Sequence, residues 1–453
     1  MKKNIPGKLD RFVSFVKNIS NKDTEGFLNT LLNAYMDEEN PIRDFVFMYY
    51  ENILITLGPK DSNIAKRAFN FYWFYYKDPE NTHPIKAYKT ALSYIKYFDD
   101  EEILKKVFDD MEKTKIFYED FQIAQFQIQG LREKQEDAFS FKVFSHRDHL
   151  EENEWKEILN NSFIEANEIF SDPGIEAGST AITTLVLHDR IITSNIGDSR
   201  AYYLKITIEE GVPNIQLERL HTLHNFNNLA EKNRVEKEGG YFINGRLVGK
   251  NSDITRSIAM TRAIGDNFYK NQGISNAPEL FTKLITTEYG QFIILCSDGI
   301  TEPVDVLNGN EKSNNNDIGY ITDTITSLVN DNVDFQEWPE RFARKAFLCE
   351  SRDNITFIIM PVKKSENPDQ HQPKLLCVFD GHTGDEVSFG LNNNFIGIFE
   401  ERMIDKIQAK SSKAALKSSH MTYSPKSVAA TKLKLEENPV LKPSHRRTQS
   451  SPR

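Results

Sequence analysis

Residues 291–300 read QFIILCSDGI, an apolar run that closes two residues before an acid, Asp298, followed by Gly299. Two other stretches share this make-up. SRDNITFIIM (351–360) sets Asp353 just ahead of an apolar run, and LLCVFDGH (375–382) sets Asp380 and His382 just after one. Short runs rich in Ile, Val and Phe, bounded by Ser, Asp and Gly, predict buried strands. A carboxylate at the end of a buried strand is costly unless it is paired or bound to a metal. Asp-Gly and Asp-Asn are ordinary turn chemistry taken singly. Three together, with Glu136 and Asp137 in the QED step ahead of FSFKVF (139–144), exceed what turns require. Oxygen ligands without His or Cys pairs favour Mg²⁺ or Mn²⁺ over zinc.

The same strand pattern extends on both sides. FQIAQFQI (121–128), STAITTLVLHD (179–189), RIITSNI (190–196) and SRAYYLKITI (199–208) are further strands. Helical periodicity appears at 155–170, 227–239, 317–331 and 335–348. Many strands with several helices, and no strict strand–helix alternation, predict an α+β fold: an antiparallel β-sandwich flanked by helices over residues 121–403. Residues 1–120 differ. FLNTLLNAYM (27–36), DFVFMYYENILITLG (44–58), SNIAKRAFNFYWFYY (62–76) and ALSYIKYF (91–98) repeat apolar residues every three to four positions, with breaks at Gly58, Pro59 and Pro84. They predict an all-α N-terminal domain whose aromatic residues fill a core, the other reading being an exposed aromatic groove for a protein partner or lipid.

The chain has 453 residues, which at roughly 150 per domain makes two to three domains. Its net charge of −10 argues against nucleic acid as a partner. That charge is uneven: residues 404–453 carry +8 and the remainder −18. A basic, Ser-rich segment poor in aromatics cannot bury enough surface to order itself, so 404–453 is expected to be a disordered tail. It is suited to weak contact with an anionic membrane surface. Within it RRTQSSP (446–452) sets Arg447 three residues before Ser450 and Pro452 two after, a pattern that resembles basophilic kinase sites and phosphoserine-adaptor ligands. Cys296, Cys349 and Cys377 are three, widely spaced, and read as buried thiols in a reducing compartment. No apolar run reaches the ~20 residues of a membrane span, and no secretory signal is visible. A cytoplasmic location is expected, the alternative being delivery into a host cell by a route independent of a signal peptide.

Taken together, the motifs resemble those of the metal-dependent protein phosphatases of the protein phosphatase 2C type, the PPM family. GLREKQEDAF (130–139) is similar to that family's G-x-R-x-x-x-E-D opening. GSTAITTLVL (178–187) and SNIGDSRAYYL (194–204) resemble its GSTA and GDSR strands, and SIAMTRAIGDNFYK (257–270), with PEL at 278–280, its S-R-A-x-G-D segment. ILCSDGITE (294–302), SRDNITFII (351–359) and VFDGHTG (378–384) supply the acid motifs. The order departs from the family in one respect. There the D-G-H-x-G strand follows soon after E-D and precedes GSTA; here it comes last, at 375–384, as in a circularly permuted or segment-transposed phosphatase. Asp148 and His149 sit where that strand is due but lack its glycine and apolar run. The fourteen residues 361–374 can span up to ~46 Å, enough to return the strand to the sheet within one chain, the rival being exchange between two chains.

The resemblance implies a serine/threonine phosphoprotein phosphatase that hydrolyses phosphomonoesters with a metal-activated water at a binuclear Mg²⁺ or Mn²⁺ centre. It implies that Asp380 bridges the ions, that the Gly381 carbonyl binds one and that Asp298 and Asp353 hold the other. Glu136 and Asp137 would act through water. Arg132 would grip the phosphoryl oxygens through its planar fork, and His382 would protonate the leaving alkoxide. Asp198 and Glu302 are implied ligands of a third ion, while Asp266 reads as a structural loop acid. The alternative is a catalytically weak or dead phosphatase fold serving as a regulatory or binding module. Retention of Asp298, Asp353, Asp380 and Arg132 favours catalysis.

Overall fold

The computed structural model describes residue 54 and residues 62–77, 84–97, 100–145, 150–243, 245–249, 257–303, 316–367 and 371–419. The run 27–36, most of 44–58, Asp148, His149 and the motif 446–452 lie outside the described residues. In chain order the helices are α1 (Ser62–Lys77), α2 (Pro84–Ser93), α3 (Glu101–Asp110), α4 (Glu152–Ile169), α5 (Leu229–Lys237), α6 (Asn267–Lys270), α7 (Asn316–Asn330), α8 (Trp338–Leu348) and α9 (Glu386–Ser419). The first strands are β1 (Lys113–Tyr118), β2 (Ile123–Ile128), β3 (Ala138–Val143), β4 (Gly178–Ser179), β5 (Ala181–Val186), β6 (Arg190–Ile196), β7 (Arg200–Glu209) and β8 (Val212–Arg219). After them come β9 (Tyr241–Ile243), β10 (Arg246–Val248), β11 (Ser257–Ile258), β12 (Ile264–Gly265), β13 (Glu279–Leu284), β14 (Gln291–Cys296), β15 (Ile355–Val362), β16 (Lys374–Phe379) and β17 (Gly381–His382).

Burial within β14 explains the layering. Ile293 and Leu295 enter one core while Ile294 and Cys296 enter another, so both faces are dry and the sequence is a continuous apolar run. The first core lies between two antiparallel sheets. One has six strands in the order β1-β2-β15-β14-β7-β8, the other five in the order β13-β6-β5-β16-β3. Tyr203, Ile293, Leu295, Ile358 and Met360 of the six-stranded sheet meet Ile182, Ile191, Leu376 and Val378 of the other. The second core lies between the six-stranded sheet and helices α1, α3, α7 and α8, where Phe342 stacks on Phe357 at 4.3 Å between ring centroids. On the far side of the five-stranded sheet, α4 and α9 close the stack through Trp155 on Phe399 and Phe395 against both Phe163 and Phe379. The result is a mixed α/β fold with antiparallel sheets between helices.

β16 is an interior strand of the five-stranded sheet, paired antiparallel with the edge strand β3 on one side and β5 on the other, with Phe379 opposite Ala138 and Val378 opposite Ile182.

Two boundaries differ from the sequence reading. The helical segment ends at Asp110, and Lys113–Tyr118, expected within the all-α region, is the edge strand β1, whose exposure alternates over Lys113–Ile116 as in a half-buried strand on β2. Phe69, Phe71, Tyr72 and Trp73 are buried, and they share one core with Phe126, Ile294 and Phe357 of the sheet. At the other end, residues 404–419, expected to be disordered, continue α9 to Ser419. Their Ala, Leu, Lys and Gln content is helix-favouring, which a test of aromatic burial overlooks. By compactness the chain falls into residues 1–405 and 406–453, and of the second unit 406–419 are described. No helix among the described residues is long and apolar enough to cross a membrane. Cys296 and Cys377 are buried and Cys349 is half-buried, all as free thiols.

Candidate active site

Antiparallel pairing gathers the acids. The end of β14 lies beside the start of β15, with Cys296 opposite Phe357, which brings Asp298 and Asp353 to one edge. The end of β16 lies beside the start of β3, so Asp380 and Asp137 share an edge too. The two edges meet: the Asp298 N–H points to Asp380 Oδ2 at 3.5 Å. β7 begins opposite Cys296, which adds Asp198 from the preceding turn to the same end of the sandwich.

Clustering like charges out of water has the expected electrostatic result. Burial, then Asp353 and Asp198, pushes the Asp298 carboxyl well above the usual carboxylate range. Burial, then Asp298, Asp137 and Asp353, does the same to Asp380. Asp137 is driven up to about 7, mainly by burial, against hydrogen bonds that favour its charged form. One of these is donated by Thr356 Oγ1 to Asp137 Oδ2 at 2.7 Å. Burial also raises Glu136, opposed by the nearby Arg132 charge and a Gly384 N–H.

Arg132 is half-exposed and ion-paired with Asp353; the fields of Asp353, Asp380 and Asp298 outweigh its partial burial and keep the guanidinium protonated. The loop that carries it is clamped by Asn354. Its Nδ2 donates to the Gln129 and Lys134 carbonyls at 2.7 and 2.9 Å, and its Oδ1 accepts from Glu136 N–H at 2.8 Å. Gly130 adopts φ +64° where a Cβ would sit 2.2 Å from the Asp353 carbonyl oxygen, so the opening glycine of the motif is required. Gly381 is equally constrained, a Cβ there falling 2.4 Å from the Glu136 carbonyl oxygen.

His382 lies on a small sheet of three two-residue strands, β12-β4-β17, with His382 and Gly265 both opposite Gly178. This brings Asp266, just after β12, to His382: Asp266 Oδ2 is 2.7 Å from His382 Nε2. Burial opposes the imidazolium, yet the Asp266 charge and hydrogen bond override it and raise the His382 pKa. Gly178 leaves room for the pair, since a Cβ would approach both partners within 2.5 Å. Asp266, read from sequence as a structural loop acid, is therefore the partner of the imidazole. Its left-handed backbone, φ 50° at a non-glycine residue, is a mark of local constraint.

Glu302 Oε2 accepts from the Arg352 N–H at 2.6 Å and Ser351 Oγ at 3.2 Å, bracing the turn that carries Asp353. Of the residues singled out in the sequence, Asp137, Asp298, Asp353, Asp380 and Arg132 come together most directly. Asn354 and Asp266 are the additions of the structure; an Asp-Asn pair ahead of a strand and an acid in a Gly-Asp step were the only signals for them.

Among the described residues no three His, Cys, Asp or Glu side chains stand in a ready coordination cage. The donor chemistry nevertheless fits a hard divalent cation: the gathered donors are carboxylate oxygens, buried against one another, and Asp137 Oδ1 is buried with no hydrogen-bond partner. A cation of charge two would relieve a repulsion that the protein alone leaves standing.

Comparison with known proteins agrees with the motif reading. Residues 105–308 match the model of the family described as protein phosphatase 2C. The mitochondrial protein phosphatase 1K of Xenopus laevis is 27% identical over 256 residues, covering 54% of this chain and 58% of the relative. Probable protein phosphatase 2C 13 of Arabidopsis thaliana is 28% identical over 212 residues, covering 45% and 48%. The integrin-linked kinase-associated serine/threonine phosphatase 2C of Mus musculus is 27% identical over 201 residues, covering 42% and 46%. The chain thus spans about half the length of the curated relatives it matches. Among solved structures, a serine-threonine phosphatase 2C from Toxoplasma gondii aligns with TM-score 0.40 and 17% identity over 56% of this chain and 99% of its own. The similarity to protein phosphatase 2C over residues 105–308 takes in Arg132, Glu136, Asp137, Asp198 and Asp298 and ends before Asp353, Asp380, Gly381 and His382.

Proposed function

We propose that the chain is a metal-dependent phosphatase acting on phosphoserine and phosphothreonine in proteins. The observation that carries this reading is the meeting of Asp137, Asp298, Asp353 and Asp380 at one end of the sandwich, Asp137 and Asp380 buried, Asp298 and Asp353 half-buried, mutually repelling and next to an arginine. Asp380 and the Gly381 carbonyl would hold one Mg²⁺ or Mn²⁺, Asp298 and Asp353 with Asp380 a second, and Glu136 and Asp137 the surrounding water. Asp198, with Glu302 to one side, would contribute to a weaker third position. Bound divalent ions supply an activated water nucleophile and stabilise charge on the phosphoryl oxygens.

The protein's own groups do the rest. Arg132 offers two parallel N–H donors to a phosphoryl group, which exchanges for Asp353 as its partner. His382, held by Asp266 with its proton favoured, donates to the serine or threonine oxygen as the ester bond breaks. Asn354 fixes the 129–136 loop so that Arg132 and the acids keep their relative positions.

We infer a phosphatase module over 121–403 with its D-G-H strand supplied from the C-terminal side, a circular-permutation-like arrangement supported by the pairing of β16 between β3 and β5. The helices that end at Asp110, whose apolar face covers the six-stranded sheet, would offer their outer surface to a protein partner, and 420–453 would be a basic tail with weak affinity for anionic membrane surfaces. A cytoplasmic site of action suits this reading. The test is Mn²⁺-dependent hydrolysis of p-nitrophenyl phosphate and a phosphothreonine peptide by the full chain, with Asp380→Ala and Asp298→Ala alongside. Turnover that survives both substitutions unchanged removes the metal-centre reading; folded protein without turnover makes the chain a binding module.

A further inference from the structure

A cavity of about 250 Å³ opens beside the active-site loop, and it is built by two parts of the chain that the sequence reading kept separate. Leu92, from the end of α2, and Ile95, from the short turn after it, form one wall; Phe347 and Leu348, from the end of α8, form the opposite wall. Leu131 lines it from the active-site side. Lys96 and Arg352 stand on the rim, Lys96 ion-paired with Glu350 so that the α2 end is tied to the turn leading to Asp353. Glu350 holds φ 71°, a left-handed conformation that at a non-glycine residue persists only where the surroundings fix it.

We propose that this cavity receives an apolar side chain of the phosphoprotein substrate, close to the phosphorylated residue, so that the N-terminal helices help to set sequence preference. The inference rests on the phosphatase reading above and adds the substrate class. Three observations select this occupant. Leu131 and Arg352 are the immediate chain neighbours of Arg132 and Asp353, which pair with each other, so the cavity adjoins the group that grips phosphate. Its size falls below the 300–1,000 Å³ usual for a small-molecule site yet accommodates a single Leu, Ile, Met or Phe side chain. The rim carries the exposed cation Arg352 in addition to Lys96, complementary to a segment bearing a phosphate of charge about −2. An extended peptide advances about 3.3 Å per residue, so a cavity that adjoins Arg132 receives a residue near the phosphorylated one in sequence.

The experiment uses the full chain with Mn²⁺ and two kinds of substrate: p-nitrophenyl phosphate, which cannot reach the cavity, and phosphothreonine peptides in which one Leu is moved from position −4 to +4 in an otherwise Ala-Ser-Lys background. Ser93→Trp, an exposed rim position, fills the mouth, and Leu348→Glu places a charge in the half-buried wall. A Leu at one position is expected to raise kcat/KM about tenfold, the worth of one well-buried apolar side chain. Both substitutions are expected to erase that gain and leave p-nitrophenyl phosphate turnover unchanged, which also reports that the variants are folded. No positional Leu preference, or a preference that survives both substitutions, overturns the inference while the phosphatase reading stands. No turnover of p-nitrophenyl phosphate by the unsubstituted chain overturns both.

Discussion

Asn354→Ala removes the clamp between β15 and the loop that carries Arg132. The side chain is buried, 1% exposed, and joins three backbone groups: the Gln129 and Lys134 carbonyls and the Glu136 N–H. Each hydrogen bond is worth about 1 kcal/mol net, so the loss is about 3 kcal/mol, tending higher where a backbone group is left buried without a partner. For a domain of this size 1 kcal/mol moves the Tm by about 2–4 °C, which gives a fall of about 6–12 °C. Urea unfolding of the metal-free chain, followed by Trp fluorescence with the slope held equal to wild type, measures the free energy directly. The clamp also fixes Arg132 relative to Asp353, so kcat/KM on a phosphothreonine peptide is expected to fall at least tenfold at temperatures where the variant remains folded. A stability loss below about 1 kcal/mol, with peptide turnover unchanged, would refute the reasoning, because it would mean that the loop holds its conformation without Asn354.

Other expectations come from the same geometry. Asp266→Asn should lower turnover of phosphopeptides with poor leaving groups more than that of p-nitrophenyl phosphate, since its carboxylate favours the protonated His382 that a poor leaving group needs; equal losses on both substrates count against that role. Asp298→Asn should raise the Tm of the metal-free chain, because it takes one charge from a buried, repelling set, and should shrink the Tm gain given by Mn²⁺. For the unsubstituted chain that gain corresponds to about 2.7 kcal/mol at a metal concentration 100 times Kd, readable by thermal denaturation with and without Mn²⁺. His221 and His224 are held below the ordinary imidazole pKa, in both cases chiefly by burial. The unfolded chain therefore takes up protons near pH 6.5 while the folded one does not, so this contribution is intact above that pH and declines below it, by at most about 1.4 kcal/mol per pH unit for each histidine. Urea titrations at pH 7.5 and 5.5 of wild type and His221→Asn test this, a smaller pH effect being expected in the variant.

What could be read from the sequence was what a short stretch can state alone. The doubly buried strands β14 and β15 declare themselves because each carries a mostly apolar run, and the acids at their ends are visible because several such acids together exceed what turns require. Antiparallel register then does the assembly: the end of one strand must lie beside the start of the next, so acids after β14 and β16 and before β15 and β3 share one edge. The pairing of Asp266 with His382 was not legible. It depends on three strands of two residues each, too short to hold a period, across 116 positions of sequence. The partner of the N-terminal helices was hidden for a related reason, since the apolar face of a helix states that something covers it and not what. Here the cover is the outer face of the six-stranded sheet, with Phe108 stacked on Phe126.

The position of β16 follows from the same physics. A backbone ladder is indifferent to chain order; it requires N–H and C=O groups in register and side chains that suit both faces. Without β16, β5 would present an open edge and the edge strand β3 would lose the strand it pairs with, leaving Thr183, Thr184 and Ser140 beside unpaired backbone in a dry layer. Leu376 and Val378 supply the sandwich core, Phe379 meets Phe395 of α9, and the next residue is Asp380. The strand that completes the sheet is thus the one that completes the acid cluster. Any route by which these ten residues reach the gap between β3 and β5 satisfies both needs, and the polar stretch 361–374 is one such route. That coupling does not depend on where the D-G-H segment lies in the chain: the strand that closes the five-stranded sheet also delivers Asp380 to Asp298.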